Sequence, residues 1–134
     1  MLMLSCKPST LRVLVVDDHE LTRLTLQLAF SSQKNIQVVG LASNGKEAVE
    51  MVKTCHPDVI VLDLQMPVMD GWSASCKIKD ISPNTQIIAY SSVEEKYFQE
   101  TKAMSNVDAF CRKDAPTNQL VGLIKQLGED ARNF

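Results

Sequence analysis

The sequence predicts an α/β fold: one doubly wound, five-stranded parallel sheet flanked by five helices. Three observations predict it. Short continuous apolar runs such as Leu11–Val16 and Val59–Leu62 are rich in β-branched residues, as in strands buried on both faces. Segments with helical apolar spacing fall between these runs, and such alternation with short connections builds βαβ units around a parallel sheet. The length of 134 residues has room for one domain with a proper core and little else.

Taken in order, residues 1–9 read as a leader, because the apolar run Met1–Leu4 is too short for a signal peptide and no basic residue precedes it. Residues 10–128 read as the domain and 129–134 as a C-terminal tail. The first strand, Leu11–Val16, ends in two adjacent acids, Asp17 and Asp18. The helix from His19 to Phe30 carries Leu21, Leu24 and Leu28 at helical spacing, which predicts an apolar face toward the core. Asp17 or Asp18 is able to cap it. Ile36–Ala42 is the second strand. Ser43 or Asn44 can cap the helix carrying Ala48, Val49, Val52 and Cys55, which Pro57 closes. The strand 59–62 runs directly into Asp63 and then into the punctuated loop Met66-Pro67-Val68-Met69-Asp70-Gly71. A helix over Trp72–Ile81 and a strand over Gln86–Tyr90 follow, the latter meeting Ser91 and Ser92. The helix 94–104 has the thinnest apolar face of all. The fifth strand, Val107–Cys111, leads to Arg112, Lys113 and Asp114. The last helix begins near Pro116, presents Leu120, Leu123, Ile124 and Leu127, and is expected to stop at Gly128.

Composition excludes several classes of function. The formal net charge is -2 with scattered cations, so neither a nucleic-acid footprint nor an anionic membrane surface is indicated. No apolar stretch approaches the ~20 residues needed to span a bilayer. Cys6, Cys55, Cys76 and Cys111 are dispersed without a C-x-x-C pair, which suits the reduced thiols of a cytoplasmic protein better than zinc or disulfides.

Every chemically active side chain falls at the carboxyl end of a strand: Asp17 and Asp18, Asp63, Ser91, and Lys113. In an open parallel sheet that edge is where ligands bind. Carboxylates ~5 Å apart repel by roughly 3 kcal/mol per pair at an effective dielectric of 20. Such a set calls for a divalent cation with oxygen ligands, Mg²⁺ or Mn²⁺. A cation beside an aspartate, with an ammonium and a hydroxyl to hold phosphoryl oxygens, points to phosphoryl transfer onto that aspartate.

Val-Asp17-Asp18-His, the run from Pro57 through Asp63 and Pro67 to Gly71, Tyr-Ser91-Ser and Phe110-Cys-Arg-Lys113 resemble the receiver domains of two-component response regulators. The resemblance extends from about Leu11 to Gly128. It implies a flavodoxin-like sheet of order 2-1-3-4-5 and Asp63 as phosphoacceptor. It implies metal ligation by Asp18 directly, by Asp17 through water, and by Asp63 and the Gln65 backbone carbonyl. Ser91 and Phe110 are then the switch residues, and Lys113 contacts the phosphoryl oxygens. The implied donor is a sensor histidine kinase or phosphotransfer protein. The implied output is a change in the surface made by helix 94–104, the fifth strand and the last helix, with homodimerisation through that surface. The chain then catalyses only its own phosphorylation and slow dephosphorylation, without binding membrane or nucleic acid. Asp-Asp-His and Lys113-Asp114-Ala115 look most like receivers that precede helix-turn-helix output domains.

Several residues depart from the family pattern. Asn106-Val107-Asp108-Ala109 stands where Gly-Ala-x-Gly is common, and Asn106 is expected to supply the left-handed conformation. Asp114 replaces a frequent proline and Phe110 a frequent tyrosine. His19 and His56 are read as neither ligands nor catalysts. Gln65 and Val93 flank the expected approach of hydrolytic water, and apolar Val93 predicts a phosphorylated lifetime of minutes to hours. An aspartyl phosphatase needs an acid two residues past the nucleophile, where Gln65 stands. A nucleotide or flavin module needs a phosphate loop, where Asp17-Asp18-His19-Glu20 stands. The remaining alternative is a receiver-like interaction module that works without phosphorylation.

Overall fold

A computed structural model describes residues 10–66, 68–92 and 106–132. The leader, Pro67, Val93, the helix expected over 94–104 and the last two residues lie outside the described residues. The strands are β1 (Leu11–Val16), β2 (Ile36–Ala42), β3 (Val59–Asp63), β4 (Gln86–Ser91) and β5 (Ala109–Arg112). The helices are α1 (Glu20–Ser31), α2 (Gly45–Cys55), α3 (Gly71–Ile81) and α4 (Thr117–Arg132). All strand pairs are parallel and the order is β2-β1-β3-β4-β5, as expected.

Alternation along each strand splits the core into two layers. Val13, Val15, Val59 and Val61 point into the layer with Leu26, Phe30, Leu120 and Ile124 of α1 and α4. Leu14, Val16, Ile60 and Leu62 point into the layer with Ala48, Val52, Ala74 and Ile78 of α2 and α3. β3 is central and buried along its whole length, which is why its sequence reads as an unbroken apolar run. Its last residue, Asp63, is carried by that rigid frame to the sheet edge.

Four local expectations need correction. Leu21 and Leu28 are 77% and 73% exposed, and Leu24 is also exposed; the buried face of α1 is Leu26 and Phe30. α1 is apolar on two opposite faces, and spacing alone does not choose between them. Its N-cap is His19 without a side-chain cap, because the Asp17 carboxylate accepts the His19 N–H instead. Asn106 is not in the left-handed region. Its side-chain amide lies 3.0 Å from Cys76 Sγ, while Asp108 accepts from Ile87 N–H at 2.8 Å and pairs with Lys79 at 2.7 Å. Side-chain bonds thus brace the entry to β5 where a left-handed turn at Asn106 was expected. Finally, α4 continues past Gly128 to Arg132. Gly128 is a point of close approach rather than a stop, since a Cβ there would meet Leu11 Cδ2 at 2.5 Å.

The cap at Asn44 follows the sequence, and Asp70, read there only as part of a loop, caps α3. Asn44 accepts from Glu47 N–H at 2.9 Å and Asp70 from Ser73 N–H at 2.8 Å. Trp72 packs with the small cluster of Leu64 and Ala89, and Met66 is buried. Asp114 pairs with Arg112 at 2.8 Å.

Val68, in the loop after β3, has φ 70° and is exposed. A β-branched residue is strained in the left-handed region, whereas asparagine tolerates it. Val68→Asn is expected to stabilise the fold by about 1 kcal/mol, read as a higher denaturation midpoint at unchanged m-value. An unchanged or lower midpoint would count against the strain.

Candidate functional site

The site lies where β1, β3 and the β5–α4 turn meet. Asp17, immediately after β1, is 1% exposed. Its N–H bonds to Ala42 O at 3.0 Å and its carbonyl accepts from Arg23 Nη1 at 2.7 Å, so the backbone here is held from both neighbouring elements. Asp63 is 3% exposed. Its Oδ1 accepts the Gln65 N–H at 3.0 Å. The tight turn after Asp63 is possible because α3 begins at Gly71, where any Cβ would collide with the backbone of Asp63 and Leu64.

Lys113 reaches back across the sheet edge. Its Nζ lies 2.8 Å from Asp17 Oδ2 and 3.4 Å from Asp63 Oδ2. Its backbone N–H bonds to Ser91 O at 2.9 Å, which couples the turn to the end of β4. The ring of Tyr90 lies beneath the ammonium, 5.8 Å from Nζ, within cation–π range. Asp18 is part-exposed, with Oδ1 3.0 Å from His19 Nδ1.

Burial raises the Asp63 pKa from 3.8 to about 6, against the lowering effects of the Gln65 N–H and Lys113; Asp17 raises it further. Burial pulls the Lys113 pKa down, but Asp17 and Asp63 outweigh it and the net direction is up. Lys113 is therefore a fixed positive charge, and Asp63 is a carboxylate that is ionised at neutral pH yet more basic than usual.

The structure brings Asp17, Asp18, Asp63 and Lys113 together as the sequence suggested. Ser91 is buried at the end of β4. Phe110 on β5 is partly buried against Leu64 and Ala89. The Gln65 backbone N–H, rather than its side chain, touches Asp63. His19, read from sequence as neither a ligand nor a catalyst, stands against both acids, 3.2 Å from Asp17 Oδ1 and 3.0 Å from Asp18 Oδ1. Its position directly after two acids was the available signal. Tyr90 was read only within the Tyr-Ser91-Ser run and given no role of its own, because a tyrosine in a strand reads as core.

The donor set fits a hard divalent cation. One ligand atom from each of Asp17, Asp18, His19 and Asp63 lies within 4.8 Å of the others. Asp17 Oδ2 faces the Lys113 ammonium at 2.8 Å and Asp18 Oδ1 the His19 ring at 3.0 Å. The remaining lone pairs of the three carboxylates suit a hard divalent cation.

A sequence model of the response regulator receiver domain matches residues 13–125. The chain is 34% identical to the response regulator domain of Thermotoga maritima CheB, with a TM-score of 0.82 over 90% of this chain and 97% of that one. It is 36% identical over 126 residues to a Methanosarcina acetivorans protein-glutamate methylesterase/protein-glutamine glutaminase, covering 92% of this chain and 36% of the relative. It is 32% identical over 111 residues to the transcriptional regulatory protein YhcZ of Bacillus subtilis, covering 83% and 52%. The chain thus spans between a third and a half of these longer relatives. It belongs to the response regulator receiver domain family of two-component signalling. Among the described residues no helix is long and apolar enough to cross a membrane.

The raised Asp63 pKa carries a stability consequence. A carboxyl with a raised folded-state pKa contributes stability that is fully present below its unfolded value and is lost as pH rises through about 6. The rise from 3.8 to about 6 corresponds to about 3 kcal/mol. In chelator at pH 7.5, Asp63→Asn is expected to stabilise the fold by up to about 3 kcal/mol, with the gain shrinking toward pH 4. Denaturation curves across this range check it; a gain that does not depend on pH would contradict the burial effect.

Proposed function

We propose that Asp63 is the phosphoacceptor of this receiver and takes a phosphoryl group from the phosphohistidine of a sensor histidine kinase or phosphotransfer protein. The observation that carries the reading is the division of labour at Asp63. Gln65 N–H holds Oδ1, while Oδ2 faces Lys113. Oδ2 is thus the oxygen presented to an incoming phosphorus, and Lys113 stands ready for the phosphoryl oxygens. The O–P bond forms as the P–N bond breaks, and the donor imidazole departs with the electron pair. Mg²⁺, or Mn²⁺, held by Asp17, Asp18, Asp63 and the Gln65 carbonyl, would neutralise charge on the transferred group. Ser91 and Phe110 are the residues proposed to respond to phosphorylation, because Ser91 is tied to the Lys113 turn and Phe110 lies on the adjacent strand.

The output is proposed to travel to β5, α4 and residues 94–104, with homodimerisation or partner binding there. Residues 10–128 are proposed as the receiver unit, with 1–9 as leader, and α4 carries that unit on to Arg132. The chain's own chemistry is proposed to be confined to Asp63, in the cytoplasm. The complete acidic set favours this reading over an interaction module that works without phosphorylation.

The exposed leucines of α1 bear on the donor. Leu21, Leu24 and Leu28 form an apolar stripe on the helix that begins at the site, and such patches mark protein contacts. We place the donor protein there.

Two experiments test the reading. Acetyl phosphate with Mg²⁺ is expected to add one phosphate to wild type, by mass spectrometry, and none to Asp63→Asn or to wild type in chelator; equal labelling of the variant would refute the acceptor. Replacing Leu21 and Leu28 by serine is expected to slow transfer from a phosphohistidine protein about tenfold, the effect of 1.4 kcal/mol, while leaving the acetyl phosphate rate unchanged. Equal slowing of both donors would remove α1 as the docking helix.

A further inference from the structure

We infer that His19 is a selectivity residue of the cation site, its Nδ1 adding a nitrogen donor that favours Zn²⁺ or Co²⁺ over Mg²⁺. The inference rests on the reading of the acidic cluster as a cation site and concerns which ion it prefers.

His19 is held in place by its backbone. It is the N-cap residue of α1, with φ −95° and ψ 119°. Its N–H bonds to Asp17 Oδ1 at 2.9 Å and its carbonyl accepts the Arg23 N–H at 3.1 Å. From that anchor the ring folds back over the acids. Nδ1 lies 3.0 Å from Asp18 Oδ1 and 3.2 Å from Asp17 Oδ1. Two cis ligands on an octahedral ion with bonds of ~2.1 Å stand ~3.0 Å apart. The two distances from Nδ1 match that cis spacing, and the acids, Asp63 included, lie within the same 4.8 Å cluster.

The ring is 70% exposed, so it can adjust to an ion without disturbing the core. As a ligand, Nδ1 is the unprotonated nitrogen and Nε2 carries the hydrogen. Imidazole adds little to Mg²⁺, which prefers oxygen and retains water, but it is a favoured donor for zinc and its neighbours. Three carboxylates and one imidazole thus make a site whose oxygen set accepts Mg²⁺ and whose nitrogen discriminates in favour of the softer ions.

Titration calorimetry of the whole chain with Zn²⁺ and with Mg²⁺, on wild type, His19→Ala and Asp18→Ala, tests this. His19→Ala is expected to weaken Zn²⁺ at least about tenfold and Mg²⁺ by less than about twofold, while Asp18→Ala weakens both. In wild type, Zn²⁺ is expected to shift the His19 Nδ1 resonance. An unchanged Zn²⁺/Mg²⁺ ratio in His19→Ala overturns the inference and leaves the cation site standing. So does equal tightening of both ions, which would make the imidazole a competitor. A Zn²⁺ affinity unchanged in Asp18→Ala places the ion outside this cluster and overturns it too. A wild type that binds neither ion overturns the cation site along with it.

Discussion

The ammonium of Lys113 between Asp17 and Asp63 is the interaction on which the rest of the site depends. Two carboxylates that are 1% and 3% exposed cannot both remain ionised beside one another without a compensating charge. Lys113 supplies it from the far side of the sheet, and the Tyr90 ring supports it from below. The lysine is also fixed through its backbone, by the bond from its N–H to the end of β4. A shift of the β4 terminus or the β5–α4 turn therefore moves the charge that Asp63 feels. Chemistry at the acid and conformation at the neighbouring strands are linked through one pair of atoms.

The parallel sheet explains why these groups meet. β1 and β3 are neighbours, and their register sets Val16 opposite Leu62, so the residues that follow them emerge side by side. Both strands are buried nearly throughout, which leaves the carboxylates little freedom to move apart. The energy that opposes their burial is met by the apolar runs beneath them, the same runs that define the fold.

Much of this was legible in the sequence. Continuous apolar runs ending in acids located the strands and the site edge, because a fully buried strand has no polar face to confuse the pattern. The cap at Asn44 was legible because capping is local chemistry, whereas Asp70 was read only as loop punctuation. The buried face of α1 was not, since Leu21, Leu24 and Leu28 have the same spacing as a core stripe while Leu26 and Phe30 hold the core. Gly128 was misread for a related reason: its lack of a side chain serves Leu11, which lies more than a hundred residues away. Asp108 and Lys79, which brace β5, pair across distant segments, and no local pattern announces them. His19 was visible as a residue but not as a neighbour of both acids, because its ring direction depends on the backbone bond to Asp17.

The entry to β5 shows how the fold absorbs a departure from the usual pattern. Where a left-handed turn at Asn106 was expected, Asp108 accepts the first interior N–H of β4 and is neutralised by Lys79, which also bonds to Thr85 O at 2.7 Å. Three segments, the end of α3, the start of β4 and the approach to β5, are thereby joined at the amino edge of the sheet. The carboxyl edge is joined both by the bond from Lys113 N–H to Ser91 O and by the Lys113 ammonium, which faces Asp17 and Asp63. Phe110 sits between the two edges, two residues past Asp108 and three before Lys113, and packs against Leu64 and Ala89.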